Sequence, residues 1–134
     1  MPMSDDWVSF SVLGRPVPAV RMTQRSKHCD ERAKAYLAYK AYVGLVAKTC
    51  GLRPRSGDVA IEVTVYFRNN VVPDIDNALK AIMDGLNGVA WRDDRQVVSA
   101  SAERRRSEDE RAEVTIRYAA RDRGHRSGDA DEVR

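Results

Sequence analysis

The chain is poor in cysteine, has no long apolar run and opens without a leader pattern. Its two cysteines, Cys29 and Cys50, stand 21 positions apart. That spacing fits no zinc motif, and in a reducing compartment both are free thiols. Neither a structural metal nor a disulfide framework is indicated. No apolar stretch approaches the roughly 20 residues that a membrane-spanning helix needs. The opening residues MPMSDDWVSF lack a basic segment followed by an apolar one. The expectation is a cytoplasmic chain with no membrane association. No internal repeat is visible.

What is present is a chain of 134 residues, 43% hydrophobic and 32% charged, which suits one folded domain able to bury a real core. The net charge of +3 is modest, but it is segregated. Residues 1–55 carry ten Lys or Arg against four Asp or Glu, whereas residues 74–94 carry five Asp against Lys80 and Arg92. A polyanion is attracted by the first part and repelled by the second, unless cations sit on the second. Charges that merely decorate solvated faces are the plainer alternative for any one stretch.

The periodicities predict the elements. WVSFSVL at 7–13 alternates as a half-buried strand. Gly14, Pro16 and Pro18 then break regular structure, leaving an extended basic loop with Arg15, Arg21, Arg25 and Lys27. A helix is predicted from about Asp30, as N-cap, to Cys50, with Tyr36, Tyr39, Val43, Val46 and Cys50 as its apolar face and Gly51 ending it. The clearest strand is DVAIEVTVYFR at 58–68. A second helix is predicted over 76–87, burying Leu79, Ile82, Met83 and Leu86, with Gly88 at its end. QVVSASAERR and AEVTIRYA read as two strands joined by a polar turn into an antiparallel hairpin. The fold class is α+β: a single two-layer domain, its mixed, mostly antiparallel sheet of about four strands packed with two main helices. The domain covers 1–118, and 119–134, with almost no apolar content, is expected to be a disordered tail.

The chemistry concentrates in DIDNALKAIMDGLNGVAWRDD, residues 74–94. If Asp74–Asp76 is extended, its two carboxylates share a face, with alpha carbons about 6.6 Å apart. Asp93 and Asp94 lie beyond a helix only about 18 Å long, so convergence on one cation is permitted but not compelled. Phosphodiester hydrolysis uses a hard cation to polarise the phosphoryl oxygen and activate water, and magnesium prefers oxygen ligands of this kind. Lys80 can pair with Asp76 or reach a phosphate. The bland reading stands beside this one: Asp74 as an N-cap, Asp76, Lys80 and Asp84 as a ladder of surface ion pairs, and Asp93 and Asp94 as a turn. Trp91 is expected to pack the turn that positions Asp94. Tyr36, Tyr39 and Tyr42 are read as core or dimer contacts rather than base-stacking groups.

The run DIDNALKAIMDGLNGVAWRDDRQV resembles the motif of the RusA family of Holliday-junction resolvases: a D-x-D-N, a Lys and an Asp at fixed spacing, then an aromatic and D-D-x-Q-V. GRPVPAVR is similar to that family's N-terminal G-[RK]-P-x-P segment. The resemblance implies that Asp74, Asp76 and Asp94 are catalytic metal ligands, that Lys80 is associated with activity, and that Asn77, Asp93 and Asp84 stand close to the site. It also implies Mg2+ as cofactor, with Mn2+ as a substitute, a homodimer, and branched DNA cut by paired symmetric incisions. Arg15, Arg21, Arg25 and Lys27, with Lys34, Arg53 and Arg55 as additions, are then the expected phosphate contacts. The family's basic residues before D-x-D are replaced here by Val71, Val72 and Pro73. Two rival functions remain: a metal-dependent nuclease of other specificity, for flaps or single strands, and a junction-binding module without catalysis.

Overall fold

The computed structural model describes residues 3–23 and 30–119, with the backbone alone at 3–5. Four strands and two helices follow in the order β1 (Met3–Leu13), α1 (Glu31–Thr49), β2 (Val59–Phe67), α2 (Ile75–Leu86), a 3-10 turn (Asp94–Gln96), β3 (Val97–Arg106) and β4 (Arg111–Ala119). Arg25, Lys27 and Cys29 lie outside the described residues. So does the expected tail, apart from Ala119, which still belongs to β4. Among the described residues no helix is long and apolar enough to cross a membrane.

The α+β expectation holds, with one correction to its topology. The sheet order is β1-β4-β2-β3. β2 pairs with β4 antiparallel and with β3 parallel, so β3 and β4 do not form the expected hairpin. The connection through α2 returns the chain to the start of β2 and lays β3 along its open edge. The turn at 107–110 then crosses the end of β2, where Ser107 N donates to Phe67 O (3.1 Å), and β4 descends on the far side. Closeness in sequence suggested pairing, but β2 occupies the space between.

Alternation in β2 buries Val59, Ile61, Val63, Val65 and Phe67 toward the helices, each such strand position facing the same side. Phe10 and Val12 of β1 and Val114, Ile116 and Tyr118 of β4 complete that face. The opposite face is polar and laced across strands by Ser9 with Thr115 (2.7 Å) and Ser11 with Glu113 (2.7 Å), as befits a sheet covered on one side.

α1 is capped as expected: the Asp30 carboxylate accepts from Arg32 N at 2.8 Å, and Gly51 adopts φ +91°. Tyr36 and Tyr39 are buried, while Tyr42 lies at the surface and donates to Leu13 O (2.9 Å). Cys50, expected on the buried face, is instead the exposed C-cap. The buried face of α2 keeps the expected Ile82 and Leu86 but is completed by Ala78, Ala81 and Gly85, with Leu79 and Met83 only partly covered. The cause is the close approach of the two helices. A Cβ placed on Gly85 would lie 2.7 Å from Lys40 O and 2.9 Å from Val43 Cβ. Gly85→Ala is therefore expected to destabilise the domain by about 1–2 kcal/mol, the overpacking exceeding the gain in helix propensity. Denaturant titration measures this, and a variant as stable as the parent would show that the helices separate without cost.

Candidate active site and nucleic-acid interface

Asp74 is the N-cap residue of α2 by position, yet its side chain makes no capping hydrogen bond. Its backbone is extended (φ −58°, ψ 140°) and its carbonyl accepts from Ala78 N (3.1 Å). The helix begins at Ile75, because Pro73 holds the preceding backbone extended and is itself suited to the approach to a first turn. Asp74–Asp76 is thus a junction of loop and helix rather than the extended tripeptide expected. Both carboxylates are exposed, and among the described residues neither has a hydrogen-bond or ion-pair partner. Two acidic side chains at a helix N-terminus are favoured by the unsatisfied N–H groups and the helix dipole. They remain free to accept from something else.

The residues around them are fixed by several braces. Asn77 O accepts from Ala19 N (2.9 Å) and so ties the proline-rich loop to the first turn of α2. Arg15 donates to Val71 O and to Glu110 (2.6 Å), and its guanidinium lies 4.9 Å from the Phe67 ring centre. Expected as a phosphate contact, Arg15 is seen here as the brace of the segment leading to Asp74. Glu110 also accepts from Arg68 N (3.0 Å), and this bond, joined by Arg15 and the Arg68 side chain, holds its carboxyl below the ordinary range. Arg21 is exposed on the same loop.

Lys80 pairs with Asp84 (3.4 Å), one turn along, rather than with Asp76. Asp84 also accepts the Tyr36 hydroxyl, so it links α1 to α2 from a point eight residues, about 12 Å, beyond Asp76. Burial, and then this carboxylate, pushes the Tyr36 hydroxyl pKa up. Lys34 pairs with Glu31 (3.6 Å) and Arg53 is exposed.

Asp93 and Asp94 sit elsewhere. Trp91 is fully buried and forms bridges with Arg55 and Asn87. Its indole Nε1 donates to Asp94 Oδ1 at 2.9 Å, a bond to the carboxylate beyond the packing of the turn that was expected. Asp93 caps the 3-10 turn in a reciprocal arrangement with Gln96 and pairs with Arg95 (3.2 Å). The backbone N–H of Arg95 is the main cause of its lowered pKa. Gln96 in turn donates to the carbonyls of Arg55 (2.7 Å) and Gly57 (2.8 Å), just before β2 begins. Arg55 itself pairs with Asp6 and lies over the Tyr118 ring at 3.9 Å.

Asp94 therefore lies at the start of β2 and Asp74 beyond its end, with the 12-residue α2, about 18 Å long, running between. Within one protomer the structure does not gather the three aspartates. Among the described residues no three of His, Cys, Asp and Glu form a group able to hold a metal. The pair at the start of α2, exposed and without partners, does fit a hard cation, since magnesium is commonly held by one or two carboxylates together with waters and substrate phosphates.

One group of residues escaped the sequence reading. Arg104, Arg105 and Arg106 end β3 at the same side of the sheet as Asp74 and line a cleft of about 380 Å3 with Asn69, Asn70 and Val72. The signal was the run ERRR closing a strand, at the carboxyl end of a parallel pair, where open sheets with crossover helices place their ligand sites.

Free carboxylates and exposed arginines stand together at one end of a small mixed sheet, an arrangement that suits a polyanion held together with a cation. The sequence matches the family model described as Endodeoxyribonuclease RusA over residues 14–117, and the chain belongs to that family of endodeoxyribonucleases. It is also similar to a protein of Bacillus subtilis (strain 168) described as "Uncharacterized protein YqaN", at 31% identity over 140 aligned positions that cover 84% of this chain and 96% of the relative.

Proposed function

We propose that the chain is a structure-selective endonuclease that resolves four-way DNA junctions as a homodimer, each active site combining Asp74 and Asp76 of one protomer with Asp94 of the other. The observation that carries this is the separation just described: the free carboxylates and Asp94 stand at opposite ends of α2. A shared site consequently needs two copies. A two-fold dimer presents the same two ends in reciprocal order, giving two identical sites, which suits the approximate two-fold symmetry of a four-way junction.

Bound Mg2+, or Mn2+ in its place, would supply Lewis acidity and a water acidified toward hydroxide. The chain's own residues do the rest. Asp74 and Asp76 neutralise the charge brought to the start of α2 and orient what is held there. Asp94, aimed by the Trp91 indole, completes the acidic set from across the interface. Lys80, 62% exposed in its side chain, can leave Asp84 to meet a phosphate oxygen as a point charge. Asn77 is exposed beside Asp76 and offers an amide to the same strand.

Incubating the whole chain with an end-labelled mobile four-way junction, with magnesium or with chelator, tests this. Paired incisions on opposing strands are expected only with the metal. Asp76→Asn should retain junction binding while losing at least about 1,000-fold in cleavage rate, the several kcal/mol that metal-assisted charge stabilisation supplies. Equal cutting of flaps, single strands and linear duplex would give a nuclease of other specificity, and binding without any cutting a non-catalytic module.

A further inference from the structure

We infer that Arg104 and Arg106, the latter positioned by Asn70, form a clamp for the phosphates of a DNA strand beside the Asp74–Asp76 carboxylates. The inference rests on the nuclease reading above and names the part of the surface that holds the strand. Most arginines at this end of the sheet are already neutralised. Arg15 and Arg68 share Glu110 (2.6 and 3.8 Å), Arg111 pairs with Glu113 (2.6 Å), and Arg105 pairs with Glu103 (2.7 Å). Arg104 has no partner among the described residues, and Arg106 reaches only the neutral side-chain oxygen of Asn70 (3.0 Å).

The parallel register sets Arg104 beside Val65 and Arg106 beside Phe67. Both neighbours face the helices, so the two arginines emerge on the side of the sheet where α2 begins. Arg105, beside Tyr66, belongs to the other face. Two like charges two residues apart on one strand, about 6.6 Å, repel one another when no anion lies between them. Both are exposed, and guanidinium groups match phosphate oxygens in fork geometry. Val72, two residues before Asp74, lines the same cleft. A strand held here brings its backbone to the free carboxylates, and the arginines offset the repulsion that those carboxylates exert on DNA.

Binding of the full chain to a fluorescent four-way junction, in chelator so that nothing is cut, gives the test when repeated between roughly 50 and 200 mM salt. For the double variant Arg104→Ala with Arg106→Ala, the slope of log affinity against log salt should fall by about 1.8, two contacts at about 0.9 each. Affinity at the low-salt end should drop roughly 10- to 100-fold. Replacing both arginines by lysine should keep most of the slope, which separates lost charge from lost folding. Lys48→Ala, on the helix pair away from the cleft, should leave it unchanged. An unaltered slope in the alanine variant, or an equal fall in Lys48→Ala, overturns the clamp while junction cleavage by the parent leaves the nuclease reading intact. A parent that binds no DNA overturns both.

Discussion

Mixing Asp76→Asn protein with Asp94→Asn protein is expected to restore nicking of a four-way junction that neither variant performs alone. In the proposed dimer each site draws Asp74 and Asp76 from one subunit and Asp94 from the other. A heterodimer of the two variants then holds one site with both lesions and one with none. Random exchange makes about half the dimers mixed, and half of the sites in those are intact, so about one quarter of the parent's nicking activity should return. Because each mixed dimer has one working site, the product should be a singly nicked junction rather than resolved duplexes. Co-expression with two different affinity tags, followed by sequential capture, yields the mixed dimer itself, in which about half the nicking rate is expected. A captured heterodimer as inactive as its parents would refute the shared site, because every other arrangement of these aspartates in a single protomer leaves each copy broken.

This arrangement was only half legible in the sequence. Alternation of apolar and polar residues located β2 and β4 because one sheet face is buried, and that burial is a local property of each strand. Which strands pair is not local. The polar turn at 107–110 looks like a hairpin whether β3 and β4 touch or straddle β2, and the residue pattern is the same in both cases. The face of α2 was placed correctly only at Ile82 and Leu86, for a related reason. Hydropathy favours Leu79 and Met83, whereas close contact with α1 requires small residues, so Ala78, Ala81 and Gly85 take the inner positions. Nor did the spacing of the aspartates reveal their distance. A helix of 12 residues carries the chain a fixed length, and the residues after it turn back only far enough to bring Trp91 against Asn87. The spacing of the motif is silent on distance, while the helix length decides that its first and last acids are apart.

Trp91 should separate folding from chemistry in a single position. Its ring has no exposed surface, and the turn around it is closed by Gly88 N donating to Trp91 O (2.8 Å) and by the Tyr118 hydroxyl donating to Ala90 O (3.0 Å). Trp91→Ala leaves a cavity and is expected to cost about 3–5 kcal/mol, a fall in melting temperature on the order of 10–20 °C for a domain of this size. Trp91→Phe keeps most of the packed volume, loses part of the fused ring, and removes the indole N–H that holds Asp94 Oδ1. Its stability should change by about 1 kcal/mol, yet its metal-dependent cleavage should fall roughly 10- to 100-fold, as happens when the group orienting a ligand is lost. The magnesium concentration for half-maximal cleavage should rise with it, since an untethered carboxylate must be ordered each time it serves. A Phe variant with parental cleavage at parental magnesium would mean that the indole only fills space, and that Asp94 is aimed by the 3-10 turn alone.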